Sequence, residues 1–170
     1  MVDAPAGRRT GPAGPVQRAI EWWAVMGGAV LLGIALLTAW SAATGFVIGK
    51  PLPGDFELTE ICVAVAVFAF LPYCQQTDAN VTADLFTAGA GPRAVAGFRM
   101  FGALLSLAVA VLLAWRTWAG LLDYRRYVET TAILKIPIWW AYVPALVSLV
   151  LLIVACLIVL AGCWREMQRG

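Results

Sequence analysis

The sequence contains no histidine. That removes the commonest general base and a common metal ligand, and no Ser–His–Asp set can be assembled. Charge is scarce: 13% of residues are Asp, Glu, Lys or Arg, against about a quarter in a typical soluble domain. There is no basic stripe and no interleaving of aromatic residues with arginines, which leaves nucleic acid without support as a partner. The four cysteines, Cys62, Cys74, Cys156 and Cys163, have no metal-site spacing. They lie in or beside apolar runs and are expected to be buried thiols acting as small hydrophobes. The acidic residues form no HExxH or carboxylate-cluster motif, and no Gly-rich phosphate loop follows a strand. These absences point away from an enzyme, a metal site or a bound cofactor.

What is present is apolar. Hydrophobic residues make up 62% of the 170, and the mean hydropathy is +0.83. A soluble domain of this size lacks the interior to hide so much apolar surface, so the chain reads as an integral membrane protein with lipid as its solvent. Charges delimit its runs. Residues 22–49, between Glu21 and Lys50, and residues 136–164, between Lys135 and Arg165, carry no charge. At about 1.5 Å per residue each easily crosses a hydrocarbon core of about 30 Å. Residues 61–77 and 100–115 are also uncharged but short for spanning. Flanking side chains that reach the interface lengthen them, and the sequence is apolar on both sides of Arg99. Trp22, Trp23, Trp40, Trp139, Trp140, Tyr142 and Trp164 suit interfacial belts.

The expected fold is therefore all-α: a polytopic membrane protein with four transmembrane helices near 22–45, 59–76, 95–118 and 138–161, and short interfacial helices in the connectors. Pro72 should kink or end the second helix near Tyr73. A flexible cytoplasmic tail occupies 1–19, the membrane domain 20–164 and a cytoplasmic C-terminal tail 165–170. Four spans put both termini on one side. With that side cytoplasmic, seven of the twelve basic residues fall inside, Arg8, Arg9 and Arg18 foremost, which agrees with the positive-inside bias.

Several residues carry more specific expectations. Ala35, Ala39 and Ala43 recur at i, i+4 and form a small-residue ridge for helix packing, although alanine is common enough in such spans for the ridge to face lipid. "GKPLPGDFELTEI" leads into the second run. Glu57 and Glu60 stand near a helix start, where negative charge is favourable, and Thr59 is a candidate cap. Glu60 is either part of that helix start or a contact for a partner helix. Arg99 is a second candidate contact, predicted at the opposite membrane side from Glu60. "TDANVTADLF" contains Asp84 in a segment whose apolar residues recur at helical spacing, as an interfacial helix would.

The order of these features resembles the small membrane subunit of the tripartite ATP-independent periplasmic (TRAP) transporters, the DctQ-like family. The resemblance runs from about Ile20 to Leu160. It is carried by "PLPGDFELTEI" with Glu60, by "TDANVTADLF" with Asp84 in the acidic position, and by "KIPIWWAYVP" with Pro137, Trp139, Tyr142 and Pro144. The chain departs from the family pattern in three places. "SAATGF" stands where an Arg-Tyr pair is common, "TDAN" where Gly-His is common, and Cys62 and Val63 follow Glu60 where an arginine is common.

The resemblance implies a scaffold subunit of a sodium-coupled transporter for organic acids. Its partners would be a large elevator-type permease subunit and a periplasmic substrate-binding protein, in the bacterial inner membrane. Glu60, Asp84, Arg99, Pro137, Trp139 and Tyr142 become candidates for the partner interface. Two other readings compete, a membrane assembly factor and a small helical exporter. The exporter would want an acidic residue in the middle of the first span, which holds none.

Overall fold

The computed structural model describes residues 14–77 and 92–169. Four long helices account for nearly all of them: α1 (Pro15–Ile48), α2 (Asp55–Gln76), α3 (Pro92–Tyr127) and α4 (Trp139–Arg169). All four are long and apolar enough to cross a membrane. No β-strand is formed among the described residues, only an isolated bridge.

Each helix end has a local cause. α1 starts with Pro15 in its first turn, where a missing N–H costs nothing. It stops at Gly49, which takes φ 70° and donates its N–H to the Gly45 carbonyl at 3.1 Å, a left-handed cap that glycine adopts freely. The helix thus begins ahead of the expected boundary at Ile20, and Ile20 is itself fully buried. α2 has 22 residues, about 33 Å, enough to cross with little to spare. Pro72 lies inside it, and the helix runs on to Gln76 rather than ending near Tyr73. The missing donor falls in the penultimate turn, where it removes a single i→i−4 bond, and the last turn closes normally, with Thr77 placing both its N–H and its hydroxyl on the Tyr73 carbonyl. α3 continues past position 118 to Tyr127, and α4 continues through the expected C-terminal tail to Arg169.

Close packing joins α1 to α2, α2 to α4, and α4 to α3. In space the helices therefore follow the order α1–α2–α4–α3, with α4 and α2 in the middle. The α1–α2 contact is made by small residues: a Cβ at Gly27 would sit 2.7 Å from the Ala69 Cβ and 3.5 Å from the Ala66 carbonyl oxygen. The buried positions of α1, Ile20, Ala24, Gly27, Ile34 and Ser41, recur at the heptad-like spacing of a packed helix seam. Ala35, Ala39 and Ala43 are exposed on another face of α1 among the described residues.

The core between α3 and α4 holds Ala110, Leu149, Leu152 and Cys156, with Phe68 and Leu71 of α2 packed against it. Polar links cross between helices inside the apolar region. The Trp23 indole N–H donates to Ser148 Oγ at 2.9 Å, and Ser148 in turn donates to the Pro144 carbonyl. Ser106 donates to Gln75 Oε1 at 3.0 Å and accepts from the Cys156 thiol. Cys156 and Cys163 are buried as expected, but Cys62 is only half-buried and Cys74 is exposed, both on α2.

The connector between α3 and α4 is a tight hairpin rather than an interfacial helix. Thr131 N–H donates to the Ile136 carbonyl and Ile138 N–H to the Glu129 carbonyl, flanking the Thr130–Pro137 bridge. Pro137 thereby occupies a position where the ladder needs no donor. Val128 and Lys135 take φ 50° and 56°, left-handed conformations that are uncommon for such side chains.

Candidate functional site

Both described connectors, 49–54 and 128–138, lie at one end of the molecule, and the carboxylates of "GDFELTE" hold them there. Asp55 opens α2. Its Oδ1 accepts the Phe56 N–H at 2.8 Å, and its Oδ2 accepts the Ser41 hydroxyl of α1 at 2.6 Å. Ser41 Oγ also accepts the Leu52 N–H at 3.1 Å. Ser41 is 1% exposed, so one small hydroxyl ties helix, loop and next helix together. Thr59 is not the cap: it lies a turn inside α2 and donates to the Asp55 carbonyl at 2.7 Å.

Glu57 reaches across to the hairpin. Its Oε1 accepts the Ile133 N–H at 2.8 Å and its Oε2 the Leu134 N–H at 3.0 Å. Two backbone donors on one carboxylate are charge-assisted bonds of the stronger kind. Leu134 lies directly over Gly54, where φ is 81° and any Cβ would strike the leucine. Glycine is required there twice over, by conformation and by space.

Beside this clamp is a half-open cavity of about 680 Å³ between α2, α3 and α4. Glu57, Glu60, Thr130 and Thr131 line its connector end, and Ala64, Phe68 and Ala145 line it further along α2 and α4. No Lys or Arg is among its described lining residues. Its α3–α4 wall is pinned by aromatic contacts. Tyr142 lies 5.2 Å from Tyr124, centroid to centroid, and packs on Gly120, where even a Cβ would come within 3.0 Å of its ring. Arg125 sits 5.9 Å over Trp139, which meets Trp140 edge-on at 6.1 Å.

The residues singled out from sequence are thus distributed unevenly. Glu60 is exposed at the connector end of the cavity. Pro137 belongs to the hairpin, and Trp139 and Tyr142 join α4 to α3. Asp84 lies outside the described residues, as does the side chain of Arg99 in α3. Sequence reasoning missed Ser41, Asp55 and the reach of Glu57. A Gly-Asp pair before an apolar run signals a helix start, but the partners of these carboxylates are remote in the chain. Among the described residues no group of three or more His, Cys, Asp or Glu could hold a metal ion.

In a comparison with sequence families, residues 34–166 fit the family described as "Tripartite ATP-independent periplasmic transporters, DctQ component". Comparison with curated proteins and with solved structures gives no match.

Proposed function

The chain belongs to the DctQ component family of the tripartite ATP-independent periplasmic transporters, and from that premise we propose that it is the fixed scaffold of a sodium-coupled organic-acid uptake system. In this reading a large elevator-type permease subunit performs the transport movement and a periplasmic binding protein delivers the solute. The chain sits in the inner membrane with both termini cytoplasmic and the Glu57-clamped hairpin on the periplasmic side. It contributes no chemical step.

The observation that carries this reading is the row order α1–α2–α4–α3. It builds a frame with long apolar flanks: at most 33% of any span's apolar window is buried within the chain, and Trp22, Trp40, Phe46, Phe101 and Trp115 all face outward. Helix faces of this kind are available to a partner's helices, which in lipid associate through packing and polar contacts. The spans are also continuous, without the broken helices that line a transporter's midplane site. Arg116 lies within α3, beyond the core residue Ala110. It is six positions from Ala110, about 9 Å along the helix, and is exposed, within reach of the interface by extending its stem.

Co-expression of the full chain with a large permease subunit tests the partnership. The two should co-purify at fixed stoichiometry in mild detergent. Separate elution of two stable proteins would contradict it.

A further inference from the structure

The cavity at the connector end changes polarity along its length. Carboxylates and hydroxyls line its connector end, and the walls become apolar toward Phe68. From Glu60 to Phe68 is eight residues of α2, about 12 Å of helix. The cavity exists because α2 and α3 diverge. At the far end of the bundle Ser106 and Gln75 bridge them at 3.0 Å. At the connector end α4 alone lies between them, and Thr117 and Tyr124 of α3 face Glu60 and Ile61 of α2 across the space.

We propose that this cleft holds a phospholipid with a primary-amine headgroup. The ammonium sits at the Glu60 and Glu57 carboxylates, and one acyl chain descends past Ala64 and Phe68 between α2 and α3. The charge of the lining selects the headgroup: two carboxylates and no described basic residue suit a cation that donates hydrogen bonds. Glu57 is already bonded to Ile133 and Leu134, but a carboxylate has about four acceptor sites, so it retains capacity. Tyr124 and Tyr142 add aromatic faces that attract a cation.

A hard divalent ion fits poorly, since it needs six or more oxygen ligands and an apolar cleft offers it nothing further along. A lysine from a partner protein would fill only the connector end with its four-carbon stem. The length and the gradient match a lipid lying along the membrane normal.

The test is native mass spectrometry of the full chain from mixed micelles containing phosphatidylethanolamine, phosphatidylcholine and phosphatidylglycerol with identical acyl chains. Phosphatidylethanolamine should be retained roughly tenfold over the other two, the factor expected for charge-assisted hydrogen bonds that a trimethylated amine cannot donate. Glu60→Gln, at an exposed position, should reduce that preference several-fold with the melting temperature unchanged. Ala64→Trp should fill the cleft and lower retention whatever the headgroup. Equal retention of the three lipids would overturn the proposal. So would a Glu60→Gln variant that keeps its lipid preference but loses association with a permease subunit, which would assign the connector end of the cleft to a partner's basic side chain. The readout is lipid retention rather than uptake, so the proposal and the transport reading fail separately.

Discussion

Replacing Gly27 by alanine should loosen α1 from the rest of the bundle. The added Cβ would lie 2.7 Å from the Ala69 Cβ, whereas carbon atoms in good contact are about 3.5–4.0 Å apart. The helices must separate by roughly 1 Å. Overpacking of this kind costs about 1–3 kcal/mol, and alanine recovers at most about 1 kcal/mol through its better helix propensity.

Gly33 is the matched control. It lies on the same helix, and a Cβ added there would meet nothing within 4 Å, so Gly33→Ala should be neutral or slightly stabilising. The gap between the two variants isolates the packing cost. Adding Ala69→Gly to Gly27→Ala removes the clashing methyl and should restore stability beyond the additive expectation, with a coupling of about 1 kcal/mol or more. The assay is unfolding in SDS-containing mixed micelles, followed by tryptophan fluorescence, since Trp23 of α1 is held at Ser148 of α4 in the folded state. Equal midpoints for Gly27→Ala and Gly33→Ala, or no rescue by Ala69→Gly, would refute the α1–α2 packing described above.

Ser41→Ala should destabilise the chain by about 1–3 kcal/mol in the same assay, because it strands the Leu52 N–H and removes the hydroxyl on Asp55. Glu57→Gln should speed hydrogen exchange at the Ile133 and Leu134 amides, which lose a charged acceptor, while exchange in the core of α4 stays unchanged. Of the native thiols, Cys74 should react with a membrane-permeant maleimide in the folded protein, and Cys156 and Cys163 only on unfolding. With all four cysteines replaced, Pro53→Cys at the exposed connector should label from the periplasm; labelling from the cytoplasm alone would invert the proposed topology.

The number of the helices is legible in the sequence because uncharged runs report directly on burial in lipid, whereas their spatial order comes from packing alone. Their lengths are less legible. Arg116 resembles the end of a span, yet α3 continues through it to Tyr127, since a charge that reaches the interface need not stop a helix. Pro72 resembles a terminator, but the loss of one hydrogen bond near a C-terminus is too small to end α2. The connector reads as interfacial because Tyr124, Tyr127, Val128, Ile133 and Leu134 are mixed with charges there. The backbone amides of Ile133 and Leu134 are in fact the ligands of Glu57, 76 and 77 positions away. Glu60 draws attention as the last charge before the apolar run, while the structural work of that segment falls to Asp55 and Glu57. Which carboxylate bonds and which stays exposed depends on helix facing, and that is fixed by packing at Gly27 and Gly54 rather than by any local pattern.

Proteoliposome uptake under an imposed sodium gradient, with the substrate-binding protein added outside, addresses the scaffold reading most directly. Three preparations are compared: this chain alone, a large permease subunit alone, and the two together. The account predicts solute accumulation only in the third. Sustained uptake by this chain alone would contradict it, because a path would then have to run through four helices read here as a frame.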